Sequence, residues 1–129
     1  LHLSIRRQRQ MCIRDRSGTP VEDITLDGVL AGEVSLDDIR IHPDTLIAQA
    51  EVATRAGNPQ LGENFRRASE LTALTDERVL AIYEALRPHR SSAADLERIA
   101  TELDDLGAAR NAALVREAAT VYQARGLLR

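Results

Sequence analysis

Apolar residues recur at spacings of three and four along most of this chain, and Gly, Pro, Ser and Thr punctuate the gaps between them, which is the pattern of successive short helices. Thr25 offers a hydroxyl cap to a short turn through Leu30 that ends at Gly32. Ser35-Leu36-Asp37-Asp38 reads as a capping-box-like start for a second short helix. Pro43, after His42, suits a first helical position, where its missing N–H costs nothing. The pattern then runs through Leu46, Ile47, Ala50 and Ala53 to Gly57. Asn58-Pro59 opens the next helix in the same way. Its Leu61, Phe65, Ala68, Leu71 and Thr72 form a stripe facing a core, and Glu63, Arg66, Arg67 and Glu70 fall on the wet side.

Thr75 caps a helix carrying Val79, Ile82, Tyr83 and Leu86. Arg87-Pro88 stops it, because the residue before a proline is pushed out of the α region. Ser92 and Asp95 form a capping box ahead of Leu96, Ile99, Ala100, Leu103 and Leu106. Past Gly107 a last helix carries Leu114, Val115, Ala118, Val121 and Tyr122 and is expected to fray at Gly126. No stretch alternates polar and β-branched residues as a strand would. The predicted fold is all-α, a compact array of about five main helices with short loops and no sheet.

Residues 1–16 stand outside this pattern. Leu1 to Arg16 can be read back through codons, in one frame and without a gap, into a transposase-type sequencing adapter: primer end, short barcode, constant segment and transposon end. As an adapter remnant the segment is excluded from the fold and expected to stay disordered, leaving residues 17–129 as the domain. The natural N-terminus, with any targeting sequence it carries, is then expected to be missing.

Setting that segment aside changes the composition. The chain has 17 basic and 20 acidic residues, but five of the arginines and one aspartate lie in residues 1–16, so residues 17–129 hold 12 against 19 and carry a net charge of −7. Cys12 is the one cysteine, so no disulfide, thiol nucleophile or thiolate metal site comes from the remainder. Phe65, Tyr83 and Tyr122 are the only aromatic residues and much of the apolar content is alanine, which buries little area. Such a domain is expected to be marginal alone and to gain from a large partner surface. No apolar run reaches the roughly 20 residues that span a bilayer, and no secretory signal is visible, so the segment reads as soluble and intracellular.

Candidate chemistry is sparse. His42 and His89 lack the i, i+4 pairing of a helical zinc site and read as solvent-facing loop histidines. The pairs Asp37-Asp38 and Asp104-Asp105 read as solvated helix faces, because neighbouring helix residues diverge by about 100° and do not converge on one ion. No Gly-rich phosphate loop, nucleophile elbow or Asp-x-His-x-x-Gly cobalamin-ligating motif is present. An acidic segment without a basic aromatic platform is repelled by phosphates, which argues against nucleic acid as a partner.

Several stretches taken together do point somewhere. Asp23-Ile-Thr-Leu-Asp-Gly-Val-Leu30, Val34-Ser-Leu-Asp-Asp-Ile-Arg-Ile41 and Pro43-Asp-Thr-Leu46 resemble the small subunit of adenosylcobalamin-dependent diol and glycerol dehydratases. So do Asn64-Phe-Arg-Arg-Ala-Ser-Glu-Leu-Thr-Ala73, Ile82-Tyr-Glu-Ala-Leu-Arg-Pro-His-Arg-Ser91 and Val115-Arg-Glu-Ala-Ala-Thr-Val-Tyr122, in the same order and spacing. The likeness covers nearly all of residues 22–125; His89 stands where the family is expected to have tyrosine.

The resemblance implies a mostly helical subunit that packs on and stabilises the large catalytic subunit, in an enzyme built from two copies each of large, medium and small subunits. It implies a lyase that turns 1,2-propanediol into propanal or glycerol into 3-hydroxypropanal. Adenosylcobalamin would be held by the other subunits and none by this chain, so no catalytic, cofactor-binding or metal-binding residue is assigned here. The enzyme is expected to be cytoplasmic, with a bacterial microcompartment as a further possible location.

Arg87, Pro88, His89 and Arg90 form a proline-fixed turn whose arginines suit a subunit interface, since a guanidinium pairs carboxylates while stacking on flat groups. The plainer reading is a solvated loop with Arg87 on the last carbonyls of its own helix. A free-standing helical interaction module without a catalytic role is the alternative reading of the whole chain.

Overall fold

The computed structural model describes residues 24–35 and 40–129. The expected helix start at Ser35–Asp38 runs out of the described residues after Ser35, and the expected disorder of residues 1–16 lies outside them. The described residues form six helices and no sheet; Ile41 is a single bridging residue. The all-α expectation therefore holds: five helices have ten or more residues and a sixth is short. By its contacts the chain divides into two compact units, with the boundary between Ser69 and Glu70.

In the first unit, α1 (Leu26–Ala31) starts where the Thr25 hydroxyl accepts the Gly28 N–H at 3.1 Å, and it ends at Gly32. Gly32 has φ +76°, a left-handed conformation that costs a glycine nothing. α2 (Pro43–Arg55) has proline at its first position. His42, read above as a loop histidine facing solvent, is instead its half-buried cap, Nδ1 accepting the Asp44 N–H at 3.1 Å. Leu46, Ala50 and Ala53 are buried as expected, whereas Ile47 faces out. At the start of α3 (Pro59–Leu71), Asn58 Oδ1 accepts the Leu61 N–H at 3.2 Å.

The expected stripe of α3 is only partly borne out: Phe65, Ala68, Leu71 and Thr72 are half-buried and Leu61 is exposed, while the fully buried positions are Gly62 and Ser69. At Gly62 the helix comes close to α2. A Cβ on Gly62 would lie 2.4 Å from Thr54 Oγ1 and 3.0 Å from the Ala50 carbonyl oxygen, so only glycine lets the two backbones meet here.

The second unit is built from α4 (Asp76–Ala85), α5 (Ala93–Asp105) and α6 (Ala109–Arg125). Thr75 caps α4 by accepting the Arg78 N–H at 3.3 Å. Ser92 and Asp95 cap α5 reciprocally: the Asp95 carboxylate accepts from the Ser92 backbone N–H at 3.0 Å and the Ser92 hydroxyl accepts from Asp95 N–H at 3.2 Å. Gly107, at φ +77°, turns α5 back into α6. Leu96, Leu103 and Val115 are fully buried between them, with Ala100 and Ala112 letting the helices approach. Each such leucine contributes about 1.5–3 kcal/mol relative to an exposed one.

Two features lock the far end of this unit. Tyr122 donates its hydroxyl proton to the Leu86 carbonyl at 2.5 Å, supplying a partner to an oxygen beyond the last turn of α4. The expected fraying at Gly126 does not occur. Gly126 adopts φ +65° and reverses the chain, so that the Leu127 carbonyl accepts the His89 N–H at 2.7 Å and the Arg129 N–H donates to the Ser91 carbonyl at 3.0 Å.

Candidate functional site

The polar side chains of the second unit are largely engaged with one another. Arg78 meets Glu102 through both carboxylate oxygens, tying α4 to α5. Arg116 bridges Glu97 at 2.9 Å and Asp104 at 2.7 Å, tying α6 to α5, and this contact raises the Arg116 pKa through its bonds to Asp104 and Glu97. Asp104, half of one candidate aspartate pair, is thus an ion-pair partner, and Asp37-Asp38 lies outside the described residues. Among the described residues no cluster of three or more His, Cys, Asp or Glu could hold a metal ion. No helix there is long and apolar enough to cross a membrane.

The turn Arg87-Pro88-His89-Arg90 is exposed and better ordered by its own contacts than its sequence suggests. Arg87 reaches Glu84 Oε2 at 2.9 Å and Arg90 reaches Glu84 Oε1 at 3.2 Å, so one carboxylate holds both guanidiniums. Arg87 therefore bonds Glu84 twice, its guanidinium to the carboxylate and its backbone N–H to the Glu84 carbonyl in the last turn of α4 at 3.2 Å. The guanidinium bond is the main cause of the lowered Glu84 pKa and the raised Arg87 pKa. His89 sits at φ +62°, which costs a non-glycine residue about 1–2 kcal/mol and is maintained by its N–H bond to Leu127.

Contacts continue from this turn across the end of the unit. Ser91 accepts from the Arg129 backbone, Arg129 lies 3.5 Å from Asp95, and Arg98 pairs with Asp95 at 2.9 Å. The Asp95 carboxyl is held down to about 2, chiefly by the Ser92 hydroxyl, then by the Ser92 backbone N–H and Arg98. Arg87, Arg90, Arg98 and Arg129 thus share two carboxylates, Glu84 and Asp95.

Beside the turn is an apolar surface that the sequence pattern did not single out. Tyr83 was expected in the core stripe of α4, yet it is 60% exposed, and Leu80, one turn earlier, is 67% exposed. Val79, Ile82, Ala85 and Leu86 turn inward, onto the face of this helix that the core covers. Leu106, at the end of α5, and Leu114 and Val121, on α6, were also expected to be inward and are exposed. The signal for this surface was available: Leu80 lies off the stripe of Val79, Ile82, Tyr83 and Leu86, so α4 is apolar on more than one side. Tyr83 also lines an apolar hollow of about 60 Å³ with Val79, Leu86 and Leu114. That is space for one side chain, well below the roughly 300–1,000 Å³ of a small-molecule site.

Among the described residues, the arrangement thus offers ion-paired helix ties and an exposed apolar surface at Leu80 and Tyr83. The family described as dehydratase small subunit matches residues 2–129, a span that takes in most of the adapter-like segment. The propanediol dehydratase small subunit of Citrobacter freundii is 45% identical over 118 residues, 91% of this chain and 69% of that protein. The propanediol dehydratase small subunit of Salmonella typhimurium is 44% identical over 118 residues, 91% of this chain and 68% of its own length. This chain belongs to the dehydratase small-subunit family.

Proposed function

We propose that this chain is the non-catalytic small subunit of a coenzyme B12-dependent diol or glycerol dehydratase, and that it packs on and stabilises the large catalytic subunit. The observation that carries the reading is the likeness to two propanediol dehydratase small subunits over 91% of the chain. The use of the polar side chains supports it: Arg78, Arg116, Glu70 and Asp95 serve as helix caps and inter-helix ties. On this reading the partners are large and medium subunits, two copies of each of the three, and the turn Arg87–Arg90 contacts the large one. The substrate is 1,2-propanediol or glycerol, and the enzyme works in the cytoplasm or within a bacterial microcompartment.

Adenosylcobalamin belongs to the assembled enzyme on this reading, where it supplies the radical chemistry. The other subunits would hold it, and His42 Nδ1 of this chain serves as the cap of α2. No step of the reaction is therefore assigned here.

Co-expression tests the reading. The tagged chain, produced with the large and medium subunits of the same genome, is expected to purify as a complex with both. Supplied with adenosylcobalamin, that complex should dehydrate 1,2-propanediol or glycerol. Binding to the folded chain should also raise its stability by mass action, so its melting temperature should rise with large-subunit concentration. A chain that purifies alone, with a melting temperature indifferent to the large subunit, favours the free-standing interaction module instead.

A further inference from the structure

We propose that Leu127, Leu128 and Arg129 act as a strap over the turn Arg87–Ser91. Seated, the strap holds His89 in the left-handed region and so keeps Arg87 and Arg90 together on Glu84. Lifted, it releases the turn while α4, α5 and α6 stay folded. The inference does not depend on the subunit reading above.

The course of the strap is set by the end of α6. Gly126 adopts φ +65°, its N–H donates to the Gln123 carbonyl at 3.4 Å, and the Leu127 N–H donates to the Tyr122 carbonyl at 2.9 Å, the paired bonds of a helix closed by a left-handed glycine. That reversal sends the next three residues back across the end of the unit. There the Leu127 carbonyl accepts the His89 N–H at 2.7 Å and the Arg129 N–H donates to the Ser91 carbonyl at 3.0 Å. Between them the half-buried Leu128 packs against the core.

The turn has a reason to move when the strap leaves. Among the described residues His89 is the one non-glycine with a positive φ, +62°, and such a residue stays there only while its surroundings impose it. Its neighbours are tied from the α4 side: Ser91 Oγ donates to the Ala85 carbonyl at 2.8 Å, and Glu84 holds both guanidiniums. The bond that acts on His89 itself runs from its own N–H to Leu127. Without that bond the residue relaxes toward negative φ, and the geometry that brings Arg87 and Arg90 to one carboxylate is lost.

The strap can lift alone because it is lightly held. Leu127 and Leu128 are half-buried and Arg129 is exposed, whereas α5 and α6 meet through the fully buried Leu96, Leu103 and Val115. Segments with few buried apolar contacts open at lower free energy than the core. Whatever captures residues 127–129 therefore also sets the arrangement of Arg87 and Arg90.

Amide hydrogen exchange of the full chain, read by NMR at increasing low urea concentrations, tests this. Exchange at His89 and Arg129 should be nearly independent of urea, since lifting the strap exposes little surface, while exchange at the buried Ala100 and Ala112 should accelerate. Leu128→Asp, which removes the apolar seat, should lower protection at His89 and Arg129 together by at least about tenfold and leave Ala100 and Ala112 the better protected. His89→Gly, which takes a positive φ freely, should raise protection at Arg129, and it serves where Leu128→Asp does not fold. A urea dependence at His89 and Arg129 equal to that of Ala100 would make the strap part of the core and overturn the inference. So would Leu128→Asp protein that keeps full protection at His89, or His89→Gly protein with protection at Arg129 unchanged.

Discussion

The carboxylate of Glu70 caps α6 across forty-one positions of sequence: its Oε2 accepts the Asn111 backbone N–H at 3.0 Å and the Asn111 side-chain amide at 2.8 Å. Oε1 accepts the Arg110 backbone N–H at 3.2 Å. α6 has no side-chain cap of its own, since Ala108 occupies the capping position, so a residue at the end of α3 supplies the acceptor and the negative charge that the helix start favours. The Glu70 side chain is only 10% exposed, although its spacing predicts the wet side of α3.

Glu70→Ala should therefore destabilise the chain by about 1–2 kcal/mol, the range for loss of a helix cap. Urea unfolding followed by circular dichroism would show a lower midpoint at unchanged slope. Glu70→Gln keeps one acceptor oxygen and should lose less. Equal midpoints for the parent and Glu70→Ala would mean that water replaces the cap without cost.

What the sequence made legible divides by distance along the chain. The Ser92–Asp95 capping box, the Thr25 and Thr75 caps and the glycine stops act within four residues, and the structure has them where the pattern predicts. The Glu70 cap and the docking of Leu127–Arg129 onto residues 89–91 depend on partners dozens of positions away, which periodicity does not encode. The candidate site was half legible. Arg87–Arg90 drew attention as an arginine turn, but Tyr83 was assigned to the core because a 3.6-residue period gives direction without saying how much of a helix its neighbours cover.

Gly62 shows the same limit from a different side. In an exposed helix, glycine to alanine gains about 1 kcal/mol of helix propensity. Here the added methyl meets Thr54 Oγ1 at 2.4 Å and the Ala50 carbonyl oxygen at 3.0 Å, and overpacking of this kind costs about 1–3 kcal/mol. Gly62→Ala should thus lower the melting temperature. Adding Thr54→Ala, which removes the nearer obstacle, should restore part of the loss. A stabilised single variant would show that α2 and α3 separate freely.

We propose that residues 1–16 are adapter-derived. On that basis, deleting them should change the unfolding free energy by no more than about 0.5 kcal/mol. Amplifying the gene afresh from source DNA should return different codons upstream of Ser17. Recovery of Arg6–Arg16 in frame would make the segment genuine and the acidic balance of the chain less extreme.

Asp95 gives the chain a specific acid limb. Its carboxyl titrates at about 2 in the folded protein, held down first by the Ser92 hydroxyl, then by the Ser92 N–H and Arg98. An unfolded aspartate titrates near 3.9. The folded value is the lower one, so the unfolded chain binds the proton more readily, and stability falls as pH drops. The contribution is complete above about pH 5 and fades between there and about pH 2. Melting temperatures measured between pH 2 and pH 6 should therefore fall less steeply for Asp95→Asn than for the parent chain, and the variant should already be less stable at pH 6 because the reciprocal cap of α5 is weakened. Glu84, whose pKa is also lowered, adds to the same acid limb through its bond to Arg87. Removing Asp95 should therefore reduce the slope without abolishing it, and an unchanged slope in Asp95→Asn would place the acid sensitivity of the chain elsewhere.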